Sequence, residues 1–131
     1  MNTDSHGFSG KEDDLTHEII GSAFEVLNTL GVGLLEKPYE NALAIELSLR
    51  GIEIDQQKVF PVHYKNHEVG TYIPDLIAKG RVVIDTKVID KITNVELAQM
   101  LNYLRITRLQ VGLILNFKRP KLEFERIVLD S

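Results

Sequence analysis

A chain of 131 residues has room for one domain built around one hydrophobic core. Its content of 44% hydrophobic, 26% charged and 7% aromatic residues excludes wholesale disorder, a collagen-like repeat and a long coiled coil. The absence of cysteine removes disulfides, thiolate metal sites and a Cys nucleophile, and 19 acidic against 15 basic residues leave a net charge of −4, so bulk charge alone does not hold nucleic acid.

Most of that acidic surplus precedes residue 15, where Asp4, Glu12, Asp13 and Asp14 face only Lys11. The remainder is near neutral but uneven. Arg105, Arg108, Lys118, Arg119, Lys121 and Arg126 form a basic stretch broken only by Glu123 and Glu125, which reads either as a solvated surface or as a backbone contact for nucleic acid. No uncharged apolar run approaches the ~20 residues that span a bilayer. The polar N-terminus lacks the apolar centre of a signal peptide, so no membrane association and a cytoplasmic location are expected.

Residues 1–13 read as a disordered Gly/Ser/Asp-rich lead, with a single domain over 14–131. A first helix is predicted from Asp14 or Leu15, capped by Asp13 or Asp14, with Ile19, Ile20, Ala23, Phe24, Leu27 and Leu30 as its stripe. Gly31 and Gly33 end it. A second helix has Pro38 in its first turn, Ala42, Leu43, Ile45, Leu47 and Leu49 as apolar positions, and Gly51 past its end.

The period then changes. Ile52–Tyr64, Glu68–Ala78 and Arg81–Val88 are β-rich runs separated by the turn signals Lys65-Asn66-His67 and Lys79-Gly80, which predicts a three-strand antiparallel meander. A third helix is predicted over Asn94–Thr107, then a strand buried on both faces at Val111–Phe117 and a last, edge-ward strand at Phe124–Leu129. This order packs most simply as one mixed sheet with helices on its faces, an α/β fold.

The residues that point to chemistry lie in the second and third β runs. Pro74-Asp75 is followed, across one hairpin, by Asp85-Thr86-Lys87. Carboxylates are depleted in strands and costly to bury unless paired or bound to a cation. Asp85 and Lys87 differ by two positions and project from one sheet face. Two carboxylates beside a lysine suit a hard divalent cation, Mg²⁺ or Mn²⁺, with positions left open for water and a phosphate oxygen. By itself the pattern is loose, and each residue taken singly reads more readily as a solvated surface group. As a set on adjacent strands they favour a site. Gln99 and Tyr103, four apart on one helical face with Glu96, can hydrogen-bond a phosphate or a metal-bound water, or simply border the core. His63 and His67 flank a turn and need not converge. No P-loop, dinucleotide fingerprint or nucleophile elbow is present.

The motifs in order are Gly33-Leu34-Leu35-Glu36-Lys37-Pro38-Tyr39 with Glu40-Asn41-Ala42-Leu43, then Gly70-Thr71-Tyr72-Ile73-Pro74-Asp75, then Asp85-Thr86-Lys87. After them come Gln99-Met100-Leu101-Asn102-Tyr103-Leu104 and Gly112-Leu113-Ile114-Leu115-Asn116-Phe117. From about Leu15 to Leu129 the chain resembles the GxxExxY family, a branch of the PD-(D/E)xK nuclease-like superfamily. The resemblance implies a restriction-endonuclease-like three-layer α-β-α core with a mixed central sheet. It implies a metal-dependent nuclease in which Asp75, Asp85 and Glu36 hold Mg²⁺ (or Mn²⁺) and Lys87 positions or helps deprotonate the attacking water. Gln99, Tyr103 and Tyr39 fall on the substrate side. Asp85 stands where Glu is common in the family, and its shorter side chain shifts the metal position. Nucleic acid is the implied partner, DNA ahead of RNA, with a homodimer offering the larger surface that cutting a duplex requires. The competing reading is a non-catalytic nucleic-acid-binding or protein-interaction module on the same fold.

Overall fold

Helical and strand periodicities give the order α1 (Gly10–Leu30), α2 (Glu36–Leu49), β1 (Ile54–Gln56), β2 (Phe60–Tyr64), β3 (His67–Tyr72), β4 (Leu76–Ala78), β5 (Val82–Lys87), α3 (Asn94–Thr107), β6 (Val111–Asn116) and β7 (Glu123–Val128). The computed structural model describes residues 10–130, with side chains from Asp14 onward. Among them no helix is long and apolar enough to cross a membrane.

The first helix starts at Gly10, earlier than its apolar stripe implies, so Asp13 and Asp14 lie inside it and do not cap it. Acidic residues near a helix N-terminus favour the helix through its dipole without any apolar periodicity, and a pattern of buried positions does not detect that turn. Of the lead read over residues 1–13, residues 10–13 belong to this helix and residues 1–9 lie outside the described residues. On α2 the buried face is Tyr39, Glu40, Leu43, Ala44 and Leu47, while Ile45 and Leu49 are 62% and 77% exposed. Two residues along a helix turn the side chain roughly 200° away, so these two expected core positions face outward.

Five strands form one sheet in the order β1-β4-β5-β6-β7. Only β5 and β6 run parallel, joined through α3, and the other neighbours are antiparallel. One sheet face packs Leu76, Ala78, Val82, Ile84, Leu113 and Leu115 against α1 and α2. The other packs Val83 and Ile114 under Met100 and Leu104 of α3. This is the three-layer arrangement implied by the sequence, with β6 buried throughout. On β6, a Cβ added to Gly112 would overlap Met100 Sδ, so the missing side chain is what lets α3 settle onto the sheet. Thr93 and Glu96 start α3 with a capping box, Glu96 Oε1 accepting the Thr93 N–H at 2.7 Å.

The expected three-strand meander is only partly present. Each of its first two runs is cut in two, and β2–β3 forms a separate two-stranded ribbon. The register nonetheless continues unbroken: Gln56 pairs with Leu76, and four residues further on each strand Phe60 pairs with Tyr72. The hairpin is thus interrupted at this break without gaining or losing a residue, and its register shifts only further out, between Val62 and His63. Pro74 lies in the gap and has no N–H to donate to a ladder. Gln57, forced to φ 61°, keeps a single link across it, its N–H donating to the Asp75 carbonyl at 3.2 Å. At the ribbon tip Lys65 and Asn66 both have positive φ (48° and 70°), the requirement of a two-residue hairpin turn.

Candidate active site

Where the β4–β5 ladder ends at Leu76–Ile84, the next main-chain donor of β5 facing that edge is the Thr86 N–H. Asp75 meets it with a side chain: Asp75 Oδ2 accepts the Thr86 N–H and the Thr86 hydroxyl, each at 2.8 Å. The proline that interrupts the hairpin therefore frees the aspartate to take over a ladder bond. Asp85 and Lys87 alternate with Thr86 and, like Val83, project toward α3. Lys87 Nζ lies 3.3 Å from Asp85 Oδ2, with both side chains mostly buried.

The electrostatics follow from that crowding. Burial pushes the Asp85 carboxyl up to about 6; Lys87 pulls it down, and the charge of Asp75 and a hydrogen bond with it push it up again. The Lys87 ammonium sits above its ordinary value, because Asp85 outweighs a burial that acts against the charge. Above them Tyr72, at the base of the ribbon, stacks on Tyr103 of α3 with ring centroids 4.0 Å apart. The Tyr72 hydroxyl is raised well above its usual range by burial, then by the negative charge of Asp85. The Tyr103 hydroxyl is raised for the same two reasons. Gln99 lies one turn earlier on α3, exposed beside this aromatic wall.

Sequence reading thus finds Asp75, Asp85, Lys87 and Tyr103 together. The residues read from the opening motif, Glu36 and Tyr39, sit on α2. Among the described residues no three of His, Asp and Glu converge as a metal cluster. Glu36 is the half-buried first residue of α2 and makes no hydrogen bond or ion pair with another described residue. Tyr39, read on the substrate side, is placed in the core. It is fully buried, stacked on Phe117 at 4.7 Å; its hydroxyl donates to the Gly31 carbonyl at 2.6 Å and accepts the Leu34 N–H at 3.3 Å. It pins the loop before α2. His63 and His67 pair with Glu68 and Tyr64, not with each other.

The acid that α2 does bury is Glu40, at 3% exposure. Its Oε2 accepts hydrogen bonds from Gln56 and Gln57 Nε2 at 2.8 Å each and from Lys37 Nζ at 3.2 Å. Gln57 is also the residue whose N–H holds the Asp75 carbonyl, so Glu40 braces the strand break that carries Asp75. The signal was available: Glu40 shares the helix face of Leu43 and Leu47, and a carboxylate on a buried face demands an explanation.

Residues 13–127 match the family described as the PD-(D/E)XK nuclease superfamily. The chain belongs to this superfamily. Among curated proteins no sequence matches it. In this PD-(D/E)XK chain Pro74-Asp75, in the break just before β4, and Asp85-Thr86-Lys87, at the end of β5, match the elements of the family's name. The donor set also fits a hard metal ion. Two carboxylates meet with one oxygen of Asp75 already engaged by Thr86, and Mg²⁺ is commonly held by one or two carboxylates with water and phosphate completing its shell.

Proposed function

We propose that this chain is a metal-dependent phosphodiesterase acting on nucleic acid, DNA ahead of RNA. The observation that carries the reading is Asp85: a buried carboxylate held against a second carboxylate is an unfavourable arrangement in the free protein, and a bound divalent cation relieves it. Asp75 and Asp85 would hold Mg²⁺ or Mn²⁺, which supplies charge stabilisation at the phosphoryl oxygens and a more acidic bound water. Glu36 contributes through water at most. Thr86 fixes the Asp75 carboxylate so that its other oxygen stays presented. Lys87, kept charged by Asp85, places a cation where negative charge develops on the phosphoryl group and orients the attacking water. Tyr103 and Gln99 border the substrate and can hydrogen-bond its phosphates. The opening motif adds that this is a GxxExxY-type member.

Calorimetric titration of Mg²⁺ and Mn²⁺ into wild type, Asp75→Ala and Lys87→Ala, followed by cleavage assays on labelled single- and double-stranded DNA and RNA, tests this. Wild-type metal binding lost in Asp75→Ala, with metal-dependent cleavage lost in both variants, is the expected result. No metal binding at millimolar concentration and no cleavage would reject it, leaving a binding module on the nuclease-like fold.

A further inference from the structure

Beyond the acid pair, the ribbon and the end of α3 enclose a cleft of about 420 Å³ lined by Pro61, Val62, His63, Arg105, Ile106 and Arg108. Its charged side chains are cations. The carboxylate nearest in register, Glu68, pairs across the ribbon from His63 and does not line the cleft. Of the basic stretch seen in the sequence, Arg105 and Arg108 reach this cleft, whereas Arg119 donates to the Asp90 carbonyl at 3.1 Å. Arg105 is steadied by Asn102 Oδ1 at 3.3 Å.

Arg108 carries the second observation. It ends α3 in the left-handed conformation, φ 63° and ψ 27°, a position where glycine is strongly preferred because a Cβ is strained there. From that position its side chain lines the cleft beside Arg105. The cleft is also close to the chemistry. From Phe60, paired with Tyr72 at the base of the ribbon, to His63 is three strand residues, about 10 Å at ~3.3 Å per residue. That is about three nucleotide steps of a duplex strand. Further out the ribbon presents Lys65 beside its exposed Tyr64.

We infer that the cleft between the β2–β3 ribbon and the C-terminal end of α3 is a phosphate-backbone site, in which Arg105 and Arg108 hold a DNA duplex whose scissile strand continues to Asp75 and Asp85. This deepens the proposed function and rests on it for the direction of the strand, but its test does not need turnover. Binding of a short fluorescein-labelled DNA duplex is measured by anisotropy in EDTA over a range of salt, for wild type, Arg105→Gln and Arg108→Gly. Each variant is expected to weaken binding roughly tenfold and to reduce the slope of log affinity against log salt by about 1. Arg108→Gly is the decisive variant: glycine suits the left-handed position, so its melting temperature holds or rises while binding falls. Unchanged affinity and slope in both variants, or no duplex binding by wild type, overturns the inference. If metal-dependent cleavage is present and these slopes are unchanged, the clamp fails and the nuclease reading stands. Arginine-dependent binding without metal-dependent cleavage reverses that outcome.

Discussion

Thr86 gives both its main-chain N–H and its hydroxyl to one oxygen of Asp75. The residue between Asp85 and Lys87 is thus a positioning residue for the acid just before β4. Thr86→Val keeps the shape and the main-chain bond but loses the hydroxyl, and Thr86→Ser restores it. Hydrogen-bond partners of metal ligands commonly contribute about 10–100-fold to affinity or activity. We expect Thr86→Val to weaken Mg²⁺ binding within that range by calorimetry, with Thr86→Ser near wild type. Equal affinities in all three proteins would show that the main-chain bond alone orients Asp75.

Asp85 sets a pH dependence whose sign is unusual for a carboxylate. Its pKa is raised from 3.8 to about 6 by burial, so between these values the folded state holds a proton that the unfolded chain has released. Stability from this group is therefore complete below about pH 4 and lost as pH rises through about 6, by on the order of 3 kcal/mol. Asp85→Asn removes the penalty. In EDTA, the stability of Asp85→Asn relative to wild type is expected to grow from pH 4 to pH 7, read from urea midpoints at each pH. A difference that stays flat over that interval contradicts the burial of an ionising Asp85. Added Mg²⁺ should stabilise wild type above pH 6 and leave Asp85→Asn nearly unaffected, because only wild type presents the paired carboxylates.

Gly112 tests the packing of α3 on the sheet. A methyl group there overlaps Met100 Sδ, and the other side of Met100 is filled by its own core cluster. Gly112→Ala is expected to cost about 1–3 kcal/mol in urea denaturation, the usual range for overpacking. Met100→Ala opens a cavity and costs about 2–5 kcal/mol alone. The double variant should be more stable than the sum of the two single costs, since each change relieves the other. Strict additivity would place the clash elsewhere.

What was legible in the sequence depends on whether one local signal decided the element. Helix α3 matches its predicted span, and strand β6 falls within its own because a continuous apolar run marks it without competition. The acid pair and Lys87 were legible because polar residues in strands stand out. The split hairpin was not, since its register runs unbroken across Pro74 and only the loss of one donor separates ribbon from sheet. Tyr39 and Glu36 were read from a motif, which gives neither direction nor burial. The helix face places Tyr39 and Glu40 inward with Leu43 and Leu47, which the motif alone does not say.

That same face leads to the contrast between the two α2 acids. Glu36 is half-buried without a hydrogen bond among the described residues, so Glu36→Ala should change stability by no more than about 0.5 kcal/mol. Glu40→Ala removes the charged acceptor shared by two glutamine amides and Lys37, and is expected to cost about 1–3 kcal/mol. Function should separate the pair further. Glu40 acts on Asp75 through Gln57, so Glu40→Ala and Gln57→Ala should both weaken Mg²⁺ binding, while Glu36→Ala affects cleavage only if a water carries its charge to the metal. Because Gln57 occupies a left-handed position, Gln57→Gly relaxes the backbone while removing the same amide, and its loss of metal affinity cannot be ascribed to strain. Calorimetry on Glu36→Ala, Glu40→Ala and Gln57→Gly decides the matter. If Glu36→Ala alone loses the metal, the motif glutamate is the true third ligand, and Glu40 is only a brace for the fold.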